Sequence, residues 1–444
     1  MSRELNIRYR PLEDLSPSKR NARTHSKKQI RQIAESIEKF GFTNPILVAR
    51  DGSVVAGHGR LGAAAFLKLE TVPTIVLEDL SDAELRAYML ADNKLALNAG
   101  WDTSLLALEM QGLLDLGFDL EVTGFSLAEI DLVLDGARSS DAEAEEPAAE
   151  DEAVRLGSNA VSRRGDLWQL GRHALICGDA RERADYDQVT FGEPVDLIFT
   201  DPPYNCRIDG HVCGLGRVKH REFAMASGEM SDSEFTDFLS TTLSLAAAKC
   251  KDGAIAYVCM DWRGMGALLI AGQSAFTEQK QLCVWNKTNG GMGTFYRSKH
   301  ELVFVYKVGA APHTNSFGLG ETGRYRTNVW DYPGISSPSS SRDADLARHP
   351  TPKPVSMVAD AIQDCTRRGE TVLDPFAGSG TTLIAAEICG RSARLIEFDP
   401  LYCDAIVRRF EQYTGQQAVL MTSGQTFEEV ELARTMSAEK KVAR

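Results

Sequence analysis

Asp201, Pro202, Pro203 and Tyr204 follow directly on the apolar run Val195 to Thr200, which puts a carboxylate, a prolyl carbonyl and an aromatic ring together at a strand's end. Consecutive prolines fix φ and remove backbone donors, leaving the Asp201 carboxylate and the Pro202 carbonyl as bare acceptors. Two acceptors at one point suit an amine. An amino group conjugated to a heterocycle is a poor nucleophile because its lone pair is delocalised into the ring. Gripping both of its hydrogens turns that pair toward an incoming electrophile, and Tyr204 offers a face on which a flat ring can stack.

A second set of residues runs Asp374, Pro375, Phe376, Ala377, Gly378, Ser379, Gly380, Thr381, Thr382, again between a strand-like run (Thr371 to Leu373) and a helical one (Leu383 to Cys389). Glycines there allow a tight turn and close approach of backbone to a ligand. No Gly-Lys-Ser/Thr follows, so phosphate-bond hydrolysis is not implied. Glu397 lies nineteen residues beyond Gly378, at the end of the next apolar run, where an acidic side chain can accept hydrogen bonds from ribose hydroxyls.

These residues need a scaffold that brings strand ends together. From about residue 161, β-type runs (Val195 to Thr200, Ala254 to Met260, Leu302 to Tyr306, Thr371 to Leu373, Ala393 to Phe398) alternate with helical ones. That alternation predicts a doubly wound α/β sheet, Rossmann-like, with ligands at the carboxyl ends of its strands. Ahead of it, residues 1–80 read as a small α/β unit: a helix through Ile30, Ile33, Ile37 and Phe40, apolar runs Pro45 to Ala49 and Ser53 to Ala56, then a turn at Gly57 opening another helix. Residues 81–136 read as helical. An acidic, Ala/Glu-rich linker spans 137–160, the catalytic domain 161–415, and a C-terminal tail 416–444.

With 444 residues and 43% hydrophobic content, the chain can bury more than one core. No apolar run approaches the roughly 20 residues needed to cross a bilayer, so a cytoplasmic protein without membrane contact is expected. The nine cysteines are scattered without a CxxC pair, which fits reduced thiols. The net charge of −13 is unevenly spread: seven carboxylates face one arginine between Ala137 and Ala153, whereas the first 31 residues carry nine Lys/Arg against three acids. Local field, not net charge, guides a polyanion.

In this order, with Asp-Pro-Pro-Tyr before Phe-x-Gly-x-Gly, residues 160–415 resemble the β class of S-adenosylmethionine-dependent DNA amino-methyltransferases. The resemblance implies that Asp201, Pro202, Pro203 and Tyr204 are catalytic, acting on a base flipped out of the duplex. It places Asp374, Phe376, Gly378 and Gly380 around S-adenosylmethionine, Glu397 on its ribose and Asp179 on its adenine side. Lys353, in His349-Pro-Thr-Pro-Lys-Pro354, leads into the helix that cups its methionine end. Trp285, Asn286, Lys287, Tyr296, Arg297, His300 and Glu301 line the base pocket in this reading, and target recognition falls in 307–348. Between Trp285 and Lys353 there are nine Lys/Arg against five acids, so Arg297, Lys299, Arg324 and Arg326 are expected to meet DNA. Trp330 and Tyr332 are expected to pack in the core. Asp at 201 leans toward adenine N6, since cytosine-N4 members more often carry Ser there.

The N-terminal unit, through Gly57, His58, Gly59, Arg60 and the helix after them, resembles the ParB/sulfiredoxin-like domain, which implies Arg60 at phosphates of DNA or of a nucleotide. The expected partners are therefore double-stranded DNA, a nucleotide at the N-terminal turn and, as a homodimer, a second copy of the chain. The insert Asn205 to Met230 adds Arg207, Arg217, Lys219 and Arg221 as further candidates for DNA contact. Its Cys206, His211, Cys213 and His220 match no standard zinc spacing, and no metal is expected. Two rival readings stand beside adenine methylation: cytosine-N4 methylation, and a non-catalytic ParB-like DNA-binding protein.

Overall fold

The computed structural model describes residues 5–142, 159–205, 228–287, 296–317, 325–334 and 353–442. The chain divides into two compact units, Met1–Asp141 and Ala142–Arg444.

The first unit comprises β1 (Ile7–Pro11), β2 (Ser16–Pro17), α1 (Lys27–Phe40), β3 (Ile46–Val48), β4 (Ser53–Ala56), α2 (His58–Phe66), β5 (Thr71–Val76), α3 (Asp82–Ala96), α4 (Thr103–Asp115) and α5 (Leu127–Ala142). Its strands form one sheet in the order β1-β5-β3-β4-β2. Ser26 opens α1 by accepting from the Gln29 N–H, and Gly41 closes it at φ +80°. Ile46, Val48, Val54, Ala64 and Val72 make the core beneath α2. Met89 of α3 packs with Ala49 and Val55, so the helical stretch after residue 80 begins on the same core as the sheet. Further along, α4 and α5 pack through Ala107, Met110, Ile130 and Leu134. α5 continues to Ala142, into the stretch expected as an acidic linker, of which residues 143–158 lie outside the described residues.

The second unit runs β6 (Leu167–Leu170), β7 (His173–Cys177), α6 (Arg183–Val189), β8 (Val195–Thr200), α7 (Asp232–Ala247), β9 (Cys250–Met260), α8 (Met265–Ala275), β10 (Glu278–Asn286), β11 (His300–Lys307), β12 (Val329–Asp331), α9 (Val355–Cys365), β13 (Thr371–Asp374), α10 (Thr381–Ile388), β14 (Ser392–Glu397), α11 (Pro400–Thr414), β15 (Val419–Leu420), β16 (Gln425–Thr426) and α12 (Phe427–Val442). Its described strands join one sheet, ordered β12-β10-β11-β9-β8-β13-β14-β7-β6-β15-β16. The central five, β9-β8-β13-β14-β7, are mutually parallel. A parallel sheet must be covered on both faces, and the period-two alternation of its strands serves both. Leu197, Phe199, Ala393 and Leu395 meet α9, α10 and α11 in one core. Ile198 and Ile396 meet α6, α7 and α8 in the other.

The chain steps from β8 toward β9 in one direction and from β13 toward β14 in the other, so the order reverses between β8 and β13. Ligands of open α/β sheets bind outside the carboxyl ends at such a point. Residues after 415 are not the tail that the sequence suggested. β15 pairs antiparallel with β6, and α12 buries Phe427 and Val430 against Trp168 and Leu170. Two-residue strands are too short to show a period, which hides them in the sequence.

Candidate active site

The loops after β7, β8, β13 and β14 all leave the same edge of the parallel sheet. They bring Asp179, Asp201 to Tyr204, Asp374 to Gly380 and Glu397 together, although these residues are far apart in the chain.

The glycine turn is built around two buried carboxylates. Asp374 ends β13 and is enclosed: Thr200 Oγ1 and Phe376 N–H donate to its Oδ1 at 2.9 and 3.1 Å, and Thr382 Oγ1 donates to Oδ2 at 2.6 Å. Its carboxylate therefore ties β8, β13 and α10 together. Burial raises it to about 6 against the pull of these bonds. Asp374 holds the shape of the turn where contact with the cofactor was expected. Glu397 accepts from Gly378 N–H through Oε2 and from Asp399 N–H through Oε1, each at 2.8 Å. Burial raises it to about 7, and the two backbone bonds oppose the shift. A carboxylate has about four acceptor sites, so capacity remains for ribose hydroxyls. Gly378 and Gly380 take positive φ, +53° and +81°, and a Cβ on Gly380 would press Ile406 at 3.1 Å. Phe376 packs against Phe238.

Asp179 follows β7. Burial works against its charge, but Arg181 donates to it from N, Nε and Nη2 at 2.9, 3.0 and 2.7 Å, with Arg164 at 3.4 Å, and together they hold it below the usual carboxylate range. Arg164 also lies over the Phe398 ring at 4.5 Å.

Asp201 stands at the carboxyl end of β8, half-buried. The Tyr204 hydroxyl donates to its Oδ1 at 2.6 Å and Lys353 Nζ to its Oδ2 at 2.5 Å. Lys353 precedes α9 and is only 4% exposed; its ammonium also lies 3.1 Å from Glu301 Oε2 and 3.2 Å from the Tyr204 hydroxyl. Burial disfavours that charge, yet Asp201 and Glu301 outweigh it and keep Lys353 protonated. The family resemblance places Lys353 on the cofactor; the structure puts its ammonium on the Asp201 carboxylate. Glu301, on β11, is expected from the sequence as pocket lining and not among the residues that act. Its partner Lys287 follows β10 and lies 4.5 Å over the Trp285 ring. The Asn205 side chain closes the loop after Tyr204 by donating to Met230 O and accepting from Gly228 and Met230 N–H.

Of the residues expected at DNA, Arg297 and Lys299 are exposed, just before β11. Arg326 is turned inward: it donates to Asp364 at 2.9 Å and to the Tyr332 hydroxyl at 2.9 Å, pairs with Asp360, and stacks over Trp330. Buried Asp364 and the more exposed Asp360 hold its guanidinium in place of solvent, so this arginine braces the domain. Trp330 is buried beside Tyr257. Arg324, the run His349 to Pro352, and Arg207 to Arg221 of the insert lie outside the described residues. In the first unit, Gly57 takes φ +98° at the start of α2, and Arg60 folds back to donate to the carbonyls of Asn44 and Pro45 at 2.7 and 3.0 Å. Among the described residues no group of His, Cys, Asp or Glu could hold a metal ion, and no helix is long and apolar enough to cross a membrane.

The family model described as DNA methylase matches residues 195–408, enclosing Asp201, Glu301, Lys353 and the glycine turn. Two more match ahead of it: ParB N-terminal domain over 2–94 and ParB-methyltransferase HTH domain over 104–164. The chain is a DNA methyltransferase of the N6/N4 amino-methylase family with a ParB-like N-terminal domain. Its first part is similar to the ParB-like nuclease domain-containing protein YnaK of Escherichia coli (strain K12), 54% identical over 84 residues that cover 19% of this chain and 97% of that protein. Its second part is similar to the DNA adenine methyltransferase YhdJ of the same organism, 26% identical over 262 residues, 53% of this chain and 82% of that protein. Among solved structures, PvuII DNA methyltransferase (cytosine-N4-specific) matches at 16% identity and a TM-score of 0.41, covering 58% of this chain and 90% of that one. The helix-turn-helix match over α4 and α5 has no counterpart in the sequence pattern, because a 3.6-residue period marks an amphipathic helix without saying what it binds.

Proposed function

We propose that this methyltransferase acts at a specific site in double-stranded DNA on the N6 amino group of adenine, with S-adenosylmethionine as methyl donor. The observation that carries the reading is the Asp201 carboxylate, held at the end of β8 by Tyr204 and Lys353 on one side of the β8–β13 crevice, with the Gly378–Glu397 pair on the other. Asp at this position favours adenine, and YhdJ, similar over half the chain, is named an adenine methyltransferase.

Bound in the crevice, S-adenosylmethionine supplies an electrophilic methyl group on a sulfonium. Glu397 would accept from its ribose hydroxyls, and Asp179 with Arg181 and Arg164 would frame its adenine. Phe376, Gly378 and Gly380 bring backbone close to the rest. On the other side, Tyr204 stacks on the flipped base while Asp201 and the Pro202 carbonyl accept its amino hydrogens. Asp201 and the Pro202 carbonyl would turn the nitrogen lone pair toward the methyl group, and the Asp201 carboxylate would stand beside the proton that the nitrogen must lose. Arg297 and Lys299 are placed to meet phosphates near the base pocket. The N-terminal unit adds DNA affinity through its basic opening segment and its helix-turn-helix. A nucleotide at Gly57 to Arg60 and a second copy of the chain are its further partners in this reading.

Mass spectrometry of nucleosides from unmodified genomic DNA, incubated with the protein and methyl-deuterated cofactor, tests the reading. Labelled N6-methyladenine is expected. Labelled N4-methylcytosine would replace the adenine assignment, and no label in either would overturn both.

A further inference from the structure

The buried cluster behind Asp201 holds more charge than gripping an amine requires. Two anions, Asp201 and Glu301, face two cations, Lys353 and Lys287. Cys259 from β9 and Asp374 at the end of β13 face the same cluster from the elements packed against it. Both Asp201 oxygens are occupied, Oδ2 by the Lys353 ammonium and Oδ1 by the Tyr204 hydroxyl. Each oxygen keeps a second acceptor site, so an entering amino group must share an oxygen with one of the two holders or replace it.

The two holders are not equally tied. Lys353 is buried between two carboxylates, and separating a buried ammonium from its counter-ions costs far more than releasing a neutral phenol. Glu301 anchors it further, since its other oxygen is taken by Lys287 and its backbone lies in β11. Tyr204 sits on a loop three residues from Asp201, and its neutral hydroxyl donates to Asp201 Oδ1 at 2.6 Å and to Glu301 Oε2 at 3.4 Å, so turning its ring toward a base breaks hydrogen bonds and no ion pair.

We propose that Glu301 is a positioning residue: through Lys353 it fixes Asp201 Oδ2, so that Oδ1, uncovered when Tyr204 turns to stack, is the oxygen that takes the amino group. The proposal rests on the amino-methylation reading above. Glu301 has a second effect. Positive charge builds on the amino nitrogen as its bond to the methyl group forms, and an ammonium committed wholly to Asp201 would cancel the carboxylate that stabilises that charge. Shared with Glu301, Lys353 orients Asp201 without neutralising it.

The test uses the full chain, unmodified genomic DNA and tritiated cofactor, with kcat measured across pH for wild type, Glu301→Gln, Lys353→Met and the double variant. Glu301→Gln is expected to lower kcat on the order of 10- to 100-fold, as loss of one preorganised polar group does, with unchanged cofactor affinity. Its acid limb should move to lower pH, because Lys353 is left to Asp201 alone. Lys353→Met should move that limb to higher pH, and the double variant should recover part of the rate lost by Glu301→Gln. A merely structural role would lower thermal stability and leave the limb in place. Wild-type kcat and an unmoved limb in Glu301→Gln would overturn the proposal while leaving the parent reading intact, provided that wild type methylates. If Glu301→Gln does not fold, Lys353→Met decides, and an unmoved limb there overturns it equally. No methylation by wild type would overturn the parent reading as well.

Discussion

Glu397 links cofactor binding to pH, and the link can be worked from its surroundings. Buried under Gly378 and Asp399, it is raised from the ordinary 4.5 to about 7, so near neutrality the empty site holds a mixture of acid and carboxylate. A ribose hydroxyl bonds best to the ionised form, which means that binding draws Glu397 toward the carboxylate and releases a proton. If the bound form is fully ionised, affinity rises roughly tenfold between about pH 6 and pH 8, and about half a proton leaves per cofactor at pH 7. Folding stability runs the other way. Because the folded value is raised, the stabilising contribution of Glu397 is fully present below its unfolded value of 4.5 and is lost as pH rises through about 7. Cofactor should therefore rescue thermal stability most on the alkaline side. Calorimetric titration in two buffers of different ionisation enthalpy measures the proton release directly. Glu397→Gln should abolish it and weaken binding by about 1.5–3 kcal/mol, the value of a hydrogen bond to a charged acceptor. Gln cannot accept from both Gly378 and Asp399 N–H, so part of that loss should also appear as a lower melting temperature. Affinity that is flat with pH in wild type, or proton release that persists in Glu397→Gln, would refute the reasoning.

Asp201→Ala should abolish methyl transfer while cofactor titration stays near wild type, and a rate above about a tenth of wild type would contradict a direct role on the base. His173 is fully buried; its Nδ1 accepts from Ala393 N–H and its Nε2 faces Glu387, and burial keeps it neutral below its ordinary 6.5. The unfolded chain binds the proton first, so stability conferred above 6.5 should fall as pH drops below it, and His173→Gln should flatten that slope in chemical denaturation. The fragment 142–444 should methylate DNA at saturation but bind it more weakly. Its salt slope should be shallower by about 0.9 for each phosphate that the nine Lys/Arg of the first 31 residues neutralise in the full chain. An inactive yet cofactor-binding fragment would show that the first unit belongs to the catalytic machinery.

The loops that make up the candidate site were legible in the chain. Asp201 to Tyr204 and Phe376 to Gly380 are contiguous, each follows a strand, and Glu397 lies at a spacing set by one helix and one strand. What the sequence hid are meetings over long separations. Lys353 reaches Asp201 across 152 residues, and no local pattern tells a lysine before a helix that its counter-ion is the aspartate at the end of β8. Arg326 lies in a cationic stretch that points to DNA, but Asp360 and Asp364 one helix later claim it. Charge counts along the chain do not say which way a side chain faces.

The fastening at the start of the catalytic unit bears on how such a unit can be recombined. Asp404 accepts the N–H groups of Val161 and Ser162, while Arg434 of the last helix donates to Val161 O and pairs with Asp166. Two later helices thus clasp the backbone that leads into β6. Such a clasp predicts a portable domain: exchanging what is fused ahead of Val161 should leave kcat and cofactor affinity unchanged. Substitutions at Asp404 or Arg434 should make the enzyme sensitive to what is fused ahead of it.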